Sequence, residues 1–244
     1  MTLSQKIINS GKPFYLFHTW EVTEELLAQA ISQQRSIDLD IAVDDLGHPY
    51  LGHSKEYHEL SGERWFKTMP LWDAVNAVAT SGIVVNLDCK HFNAWPVIAD
   101  VVSHIGPSKC LVCSFISELR YHFSAGIDRD YPTEWSNIET LQNLKSRFPD
   151  LTITACAKGL PDDLFVSKRH SSLLRDVRAT LSDFGADTVC LSVPDYTIDN
   201  AGISFFLEKQ IVPHIAIDHV DTTNLTQVYI GETDHLNRAS FFIE

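Results

Sequence analysis

The sequence predicts a single domain, residues 1–244, folded as a (β/α)8 barrel. Short apolar segments alternate with amphipathic helical segments, and eight of the apolar segments have the length of strands. Most of these segments are rich in β-branched residues and lack strict alternation, which is typical of parallel strands covered on both faces. Eight such strands joined by helices in a chain of 244 residues favour a closed barrel with its site at the carboxyl ends of the strands.

The predicted strands and helices alternate along the chain. The strands cover residues 14–18, 37–43, 83–88, 110–114, 151–156, 188–192, 212–217 and 240–243. The helices cover residues 23–34, 71–80, 94–105, 136–147, 171–184, 201–209 and 224–229, the last extending as far as 236. Longer connections at 44–69 and 127–135 are candidates for functional loops. Because no helix follows the last predicted strand, an open doubly wound sheet is the structural alternative.

The charge balance excludes several classes of partner. A net charge of −13, from 19 Lys and Arg against 32 Asp and Glu, argues against nucleic-acid or anionic-membrane binding, since both need clustered positive charge. No apolar stretch approaches the length of a membrane span, and the amino terminus lacks the pattern of a signal peptide. We expect a soluble, cytoplasmic protein without stable membrane insertion, and the sequence leaves its oligomeric state open.

The cysteines predict core residues. Five of them make an odd count in a chain large enough to fold without disulfides: Cys89, Cys110, Cys113, Cys156 and Cys190. Cys110 and Cys113 form a C-x-x-C inside a predicted strand, whereas redox pairs open a helix. No Cys/His cluster has the sequence spacing of a zinc site, which argues against a soft-ligand metal centre. Free cysteine behaves as a small hydrophobic residue.

Residues 36–53 form the centre of the predicted active site. Apolar side chains alternate with Asp38 and Asp40 through the second predicted strand, so both carboxylates point to one face. Two ionised acids on one face repel each other unless a cation or a shared proton neutralises them, and a hard divalent cation is the usual solution. A turn at 44–49 then returns the chain to His53. A strand with a merely solvated polar face is the alternative interpretation.

Other predicted strands also end in polar residues. His18 follows the first strand, and Asp88 and Lys90 follow the third. Three carboxylates can bind Mg²⁺ or Ca²⁺ through oxygen, two histidines can act as base and acid, and a lysine can stabilise charge on a phosphoryl oxygen. Together these groups predict metal-assisted phosphodiester cleavage. Ser114 ends the fourth strand. Weaker candidates, for which a structural role is the simpler interpretation, are Lys158, Ser192, Asp218 and His219.

The candidate residues follow one another in a familiar order: His18, Asp38-x-Asp40, a G-x-P-x-x-x-H motif ending at His53, and Asp88-x-Lys90. This order resembles the glycerophosphodiester phosphodiesterases and the wider superfamily of barrels related to phosphatidylinositol-specific phospholipase C. The resemblance implies hydrolysis of a small or lipid-derived phosphodiester. It also implies His18 and His53 as the catalytic pair, with Lys90 beside them, and Asp38, Asp40 and Asp88 as ligands of Mg²⁺ or Ca²⁺.

The sequence departs from that family at its first motif. The family usually has His-Arg-Gly where this chain has His18-Thr19-Trp20, so the arginine that contacts the phosphate is missing. The first acid is usually Glu, whereas Asp38 is shorter by one methylene. The missing arginine motivates an alternative in which the barrel keeps its carboxylates but serves as a binding module.

The third strand suggests a second enzymatic alternative. Asp88-Cys89-Lys90 is similar to the sphingomyelinase D branch, where an Asp-x-Lys pair follows the third strand. That similarity implies a lyase-like transfer that forms a cyclic phosphate from a neighbouring hydroxyl.

Overall fold

The structure is a computed structural model that describes residues 1–19, 21–55, 58–59, 64–115, 138–157, 171–191, 199–219 and 222–240. Several features named above lie outside the described residues: Trp20, Lys158, Ser192, the connection 127–135 and residues 241–243 of the last predicted strand.

Eight parallel strands form the barrel. They are β1 (Phe14–Phe17), β2 (Ile37–Val43), β5 (Val85–Cys89), β6 (Cys110–Phe115), β7 (Thr152–Ala157), β8 (Thr188–Leu191), β9 (Val212–Ala216) and β10 (Ile230–Thr233). Each strand pairs with the next around the barrel, and β1 closes it by pairing with both β10 and β2. The closed barrel is therefore confirmed, and the open sheet is excluded.

A hairpin extends the sheet beyond the end of β2. Strands β3 (Pro49–His53) and β4 (Phe66–Pro70) are antiparallel, and β3 pairs with the last residues of β2. Gly52 has a φ of 141°, and a Cβ there would lie 2.2 Å from the carbonyl oxygen of Phe66. Only glycine allows this close approach. The backbone at Gly52 thus fixes where the neighbouring His53 enters the barrel end.

Seven α-helices occur in the described part of the chain. They are α1 (Leu3–Ser10), α2 (Glu24–Ser32), α3 (Leu71–Ser81), α4 (Trp95–Ile105), α5 (Ile138–Arg147), α6 (Ser171–Phe184) and α7 (Asn200–Leu207). Helices α2 to α7 confirm the first six predicted helices to within a few residues. None of the described helices is long and apolar enough to cross a membrane.

The prediction for the last strand was wrong. Residues 230–233 form the eighth barrel strand, and the described residues 222–229 contain no helix. Gly231 explains the error, because glycine is depleted in strands yet is needed here. A Cβ at Gly231 would lie 2.8 Å from the ring of Tyr15 and 2.9 Å from Ile217. The close packing of β10 against β1 therefore requires Gly231, and the same glycine makes the segment look unlike a strand in the sequence.

Helix α1, which the sequence analysis did not predict, closes one end of the barrel. Thr2 caps it in a reciprocal capping box with Gln5, and Gly11 ends it at a φ of 64°. Its buried side chains Leu3 and Ile7 pack in a cluster with inward residues from the starts of the strands: Phe14, Leu16, Val84, Leu111, Val212 and Ile230. The amino-terminal end of the barrel is thus filled with apolar side chains. The polar inward residues lie at the opposite end.

Candidate active site

Strands β2 and β5 place the three predicted carboxylates together. The strands are parallel, and their register pairs Asp38 with Asn86 and Asp40 with Asp88. Side chains alternate along a strand, so these four share a face with Val84, which is buried in the apolar cluster at the other end of the barrel. All four therefore point into the barrel. One oxygen from each of Asp38, Asp40 and Asp88 lies within 4.8 Å of the other two. The described residues thus include an acidic group suited to a metal ion.

Each carboxylate has a polar neighbour, and Asp38 and Asp40 are buried while Asp88 is partly buried. Asp38 accepts a hydrogen bond of 2.7 Å from the side-chain amide of Asn86. Asp40 is 2.8 Å from Nε2 of His53. Asp88 accepts a hydrogen bond of 2.9 Å from the ammonium group of Lys90.

Lys90 lies between two of these acids. Its Nζ atom is 2.9 Å from Asp88 and 3.5 Å from Asp40, and its side chain is only 8% exposed. Even so, the buried Oδ1 atoms of Asp40 and Asp88 accept no hydrogen bond within the described part of the chain. Buried carboxylate oxygens without donors are costly. These two oxygens fit an oxygen-binding cation such as Mg²⁺ or Ca²⁺.

The two predicted catalytic histidines lie next to different carboxylates of the acidic group. His18 lies at the end of β1, with Nε2 3.8 Å from Asp38 and Nδ1 3.7 Å from Asp234. His53 contacts Asp40 and stacks at 4.6 Å on the ring of Phe66. The side chain of His18 is 23% exposed and that of His53 is 1% exposed. His18 is therefore the more accessible histidine of the two.

The carboxylates differ in protonation because their neighbours differ. Burial raises the pKa of Asp38 well above its usual range, and the adjacent Asp40 raises it further. Burial acts in the same direction on Asp40, but Lys90 and His53 prevail and lower its pKa to about 2. Burial raises the pKa of Asp88 to about 6, although Lys90 opposes that shift. Without a cation, Asp40 is thus the acid that ionises most readily, and Asp38 is the acid that is protonated most readily.

His18 is strongly affected by the surrounding acids. Burial acts to lower its pKa, but the contact with Asp234 and the charges of Glu232, Asp38 and Asp40 raise it to about 10. His18 is therefore an imidazolium at neutral pH when no cation is present. A divalent cation on the carboxylates would offset their charge and shift this pKa downwards.

Sequence reasoning missed several polar residues of this end of the barrel. Asn86 holds Asp38, Asp234 holds His18, and His214 lies 2.9 Å from Glu232. His214 and Asn86 occupy alternate positions within apolar strands, which is the signal that could have found them. Glu232 was hidden because its segment was predicted to be a helix.

Of the weaker candidates, Asp218 lies outside the acidic group. Asp218 accepts hydrogen bonds from the side chain of Arg238 at 2.8 Å and from the backbone of Asp234 at 2.6 Å, so it braces a loop. Ser114 belongs to β6, and His219 belongs to a 3₁₀ turn after β9.

Comparison with known proteins supports the architecture. No protein-family model and no curated protein matches the sequence. A glycerophosphodiester phosphodiesterase from Thermotoga maritima has a similar structure, with a TM-score of 0.55 and 12% identity, over 92% of this chain and 95% of that one. Oxaloacetate acetylhydrolase, in complex with the inhibitor 3,3-difluorooxalacetate, gives a TM-score of 0.52 and 14% identity, over 97% of this chain and 80% of that one.

The chain is a (β/α)8 barrel. At these identities the likeness shows the fold alone, and the two similar proteins carry out different chemistry. The barrel fold hosts many unrelated reactions, so the function has to be argued from the site.

Proposed function

We propose that this protein is a divalent-metal-dependent phosphodiesterase that acts on a glycerophosphodiester or a similar small phosphodiester. One observation carries the proposal: three carboxylates, two of them buried, lie within 4.8 Å of one another, and a histidine lies beside each of the buried two. Oxygen ligands of this kind select hard cations, and imidazoles beside them are suited to proton transfer.

The metal would be held by Asp38, Asp40 and Asp88. Bound there, Mg²⁺ or Ca²⁺ would supply a Lewis acid for a phosphoryl oxygen. The acidic group supports this assignment, because burial alone leaves Asp38 and Asp88 reluctant to ionise and a cation removes that cost.

His18 would donate a proton to the leaving alcohol. It is the exposed histidine of the pair, and its raised pKa of about 10 keeps it protonated until a cation lowers that value. A general acid needs to hold its proton at the working pH and to reach the leaving oxygen. His18 meets both conditions.

His53 would accept the proton of the attacking water. Its Nε2 atom is 2.8 Å from Asp40, so the carboxylate orients the ring and stabilises the imidazolium that forms. The phosphodiester then gives one phosphomonoester and one alcohol, with one proton taken up by His53 and one released by His18.

Lys90 would stabilise negative charge that develops on the phosphoryl oxygens. Its ammonium group is 8% exposed and is already fixed by Asp88, so it need not be reordered during the reaction. The same position also favours a second candidate function. Lys90 neutralises Asp40 and Asp88 from within the chain, as expected of a binding module that needs no metal.

Phosphorus NMR of a glycerophosphodiester incubated with the protein separates these possibilities. We expect a linear phosphomonoester to appear when Mg²⁺ or Ca²⁺ is present and to be abolished by chelator. A cyclic phosphate product would identify the lyase-like transfer instead. If neither metal supports turnover of diesters with different alcohols, the protein is a binding module and not a phosphodiesterase.

A matched histidine control makes the test specific. His18→Ala should abolish turnover, whereas His48→Ala should retain it, because the His48 side chain lies in the same loop region as His53 but is 70% exposed. Equal losses in both variants would contradict the assigned role of His18.

A further inference from the structure

Three cysteines from three neighbouring strands converge inside the barrel. Cys113 lies on β6, Cys156 on β7 and Cys190 on β8, and their sulfur atoms all lie within 4.8 Å of one another. The register makes Cys156 the direct partner of Cys190, while Cys113 lies opposite Thr154 on the adjacent strand. Cys113 also lies in alternation with the buried Leu111 of the apolar end, so the thiols face the barrel interior.

Two of these thiols are buried and unusually close, and Cys190 is partly buried. Cys113 is 1% exposed and Cys156 is 4% exposed, and their sulfur atoms are 3.0 Å apart. A tetrahedral zinc ion with Zn–S bonds of about 2.3 Å separates neighbouring sulfurs by roughly 3.8 Å. The observed distance of 3.0 Å is shorter than that value, and all three sulfurs lie within 4.8 Å of one another. An ion bound by all three sulfurs would therefore move Cys113 and Cys156 slightly apart.

The other two cysteines differ from this cluster. Cys89 and Cys110 are fully buried within the apolar layer between the barrel and its helices. Such packing is the ordinary use of a free cysteine. Packing alone gives no reason for three thiols to meet at one point inside the barrel.

A histidine stands next to the cluster. His214 on β9 is fully buried, and one of its ring nitrogens lies within 4.8 Å of the Cys190 sulfur and of a Glu232 oxygen. Neither of its ring nitrogens makes a well-aligned hydrogen bond in the part of the chain that the structure describes. Its Nε2 atom is 2.9 Å from Glu232. A carboxylate behind a histidine is the usual arrangement at a metal centre.

We infer that Cys113, Cys156 and Cys190 form a Zn²⁺ site inside the barrel, with His214 as the fourth ligand. Three cysteines and one histidine are a set that structural zinc sites use. Thiolate sulfur selects Zn²⁺ over Mg²⁺ or Ca²⁺, which prefer the oxygens of the neighbouring acidic group. Zinc binding displaces the thiol protons and changes no oxidation state. Nothing in this inference depends on the proposed phosphodiesterase activity.

Metal analysis of the full chain tests the zinc site. The protein is purified under reducing conditions without chelator, and its zinc content is measured by mass spectrometry. We expect one zinc per chain, lost from Cys113→Ser and Cys190→Ser and retained in Cys110→Ser. Cys110→Ser is a matched control, because it makes the same change in the same strand outside the cluster. Zinc that survives Cys113→Ser, or an absence of zinc in the wild-type protein after dialysis against Zn²⁺, would overturn the inference.

Cobalt substitution keeps the test decisive if a variant does not fold. Co²⁺ added to the zinc-depleted wild-type protein should give thiolate-to-cobalt charge-transfer absorption and the intense visible bands of a tetrahedral site, and Zn²⁺ should abolish both. Weak octahedral bands would overturn the inference. A disulfide between Cys113 and Cys156 in peptides of the reduced, zinc-treated protein would overturn it as well, since that bond consumes two of the ligands.

Discussion

Strands β2 and β5 bring carboxylates to the carboxyl end of the barrel, with imidazoles from the end of β1 and from β3, whereas β6, β7 and β8 bring thiols. Both sets are largely buried and come from neighbouring strands, yet oxygen donors select hard cations and sulfur donors select soft ones. The oxygen side also contains Lys90 as an internal cation, whereas the thiol side is bordered by His214, whose pKa the charge of Glu232 raises to about 9 against the opposing effect of burial. Donor type alone can therefore direct different cations to neighbouring positions in one barrel.

The largest expected effect separates the two sides by activity. His18→Ala should lower phosphodiester turnover by roughly two to four orders of magnitude, since that is the share of a general acid or base. Its zinc content should not change, because His18 lies on the oxygen side. Steady-state kinetics and metal analysis of one sample make the comparison. If His18→Ala lost zinc as well as activity, the oxygen side and the thiol side would form a single metal site.

The next effect concerns the internal cation. Lys90→Met leaves Asp40 and Asp88 without their buried partner, so the metal-free protein should lose about 3 to 5 kcal/mol of unfolding free energy. Added Mg²⁺ or Ca²⁺ should restore much of that loss by replacing the missing charge. Urea unfolding with and without metal measures both quantities.

An exposed lysine provides the control for that experiment. Lys67 pairs with Asp44 at 3.0 Å but is 45% exposed, so Lys67→Met should cost about 0 to 1 kcal/mol. If Lys90→Met costs no more than Lys67→Met, the acids around Lys90 are not charged in the folded protein.

A smaller effect should come from the residue behind Asp38. Asn86→Ala removes the hydrogen bond of 2.7 Å that orients Asp38. Loss of such a partner typically weakens metal affinity by about 10- to 100-fold. Calorimetric titration with Mg²⁺ or Ca²⁺ measures the change. An unchanged affinity would show that Asp38 is not a ligand.

The smallest effect lies outside both sites, in the turn before β3. Hydrogen bonds from the backbone of His48 and the side chain of Lys67 lower the pKa of Asp44 from 3.8 to about 2. A lowered folded-state pKa contributes stability that is present above pH 3.8 and is lost as the pH falls towards 2. Asp44→Asn should therefore flatten the decline of stability over that range.

Acid unfolding followed by circular dichroism checks the prediction for Asp44. Asp45→Asn is the control, because it removes the same charge from the next residue in the chain. The side chain of Asp45 is 78% exposed. If the two variants have the same profile of stability against pH, the hydrogen bonds of the turn are not the cause of the acid dependence.

The sequence predicted those features that depend on the pattern of residues within one segment. Alternation within one strand placed Asp38 and Asp40 on one face, and apolar β-branched segments marked seven of the eight barrel strands. The acidic group could be predicted because Asp88, on the next parallel strand, lies in register with Asp40. Its roles and those of His18, His53 and Lys90 remain predictions.

Features that depend on contacts between distant segments could not be predicted. Cys113 and Cys156 are 43 residues apart, and their meeting follows from strand register, which no sequence spacing reveals. Helix α1 and the β3–β4 hairpin were likewise missed. The hairpin depends on a single glycine whose conformation matters only when Phe66 packs beside it.

The dependence of turnover on free metal concentration tests the central claim most directly. In chelator-treated wild-type protein, turnover of a glycerophosphodiester should be absent, and it should rise to a plateau as Mg²⁺ or Ca²⁺ is added. In Asp88→Asn the half-saturating metal concentration should rise by at least about tenfold, because a charged ligand is lost. Turnover that needs no added metal, or a half-saturation that Asp88→Asn leaves unchanged, would contradict a catalytic cation held by these carboxylates.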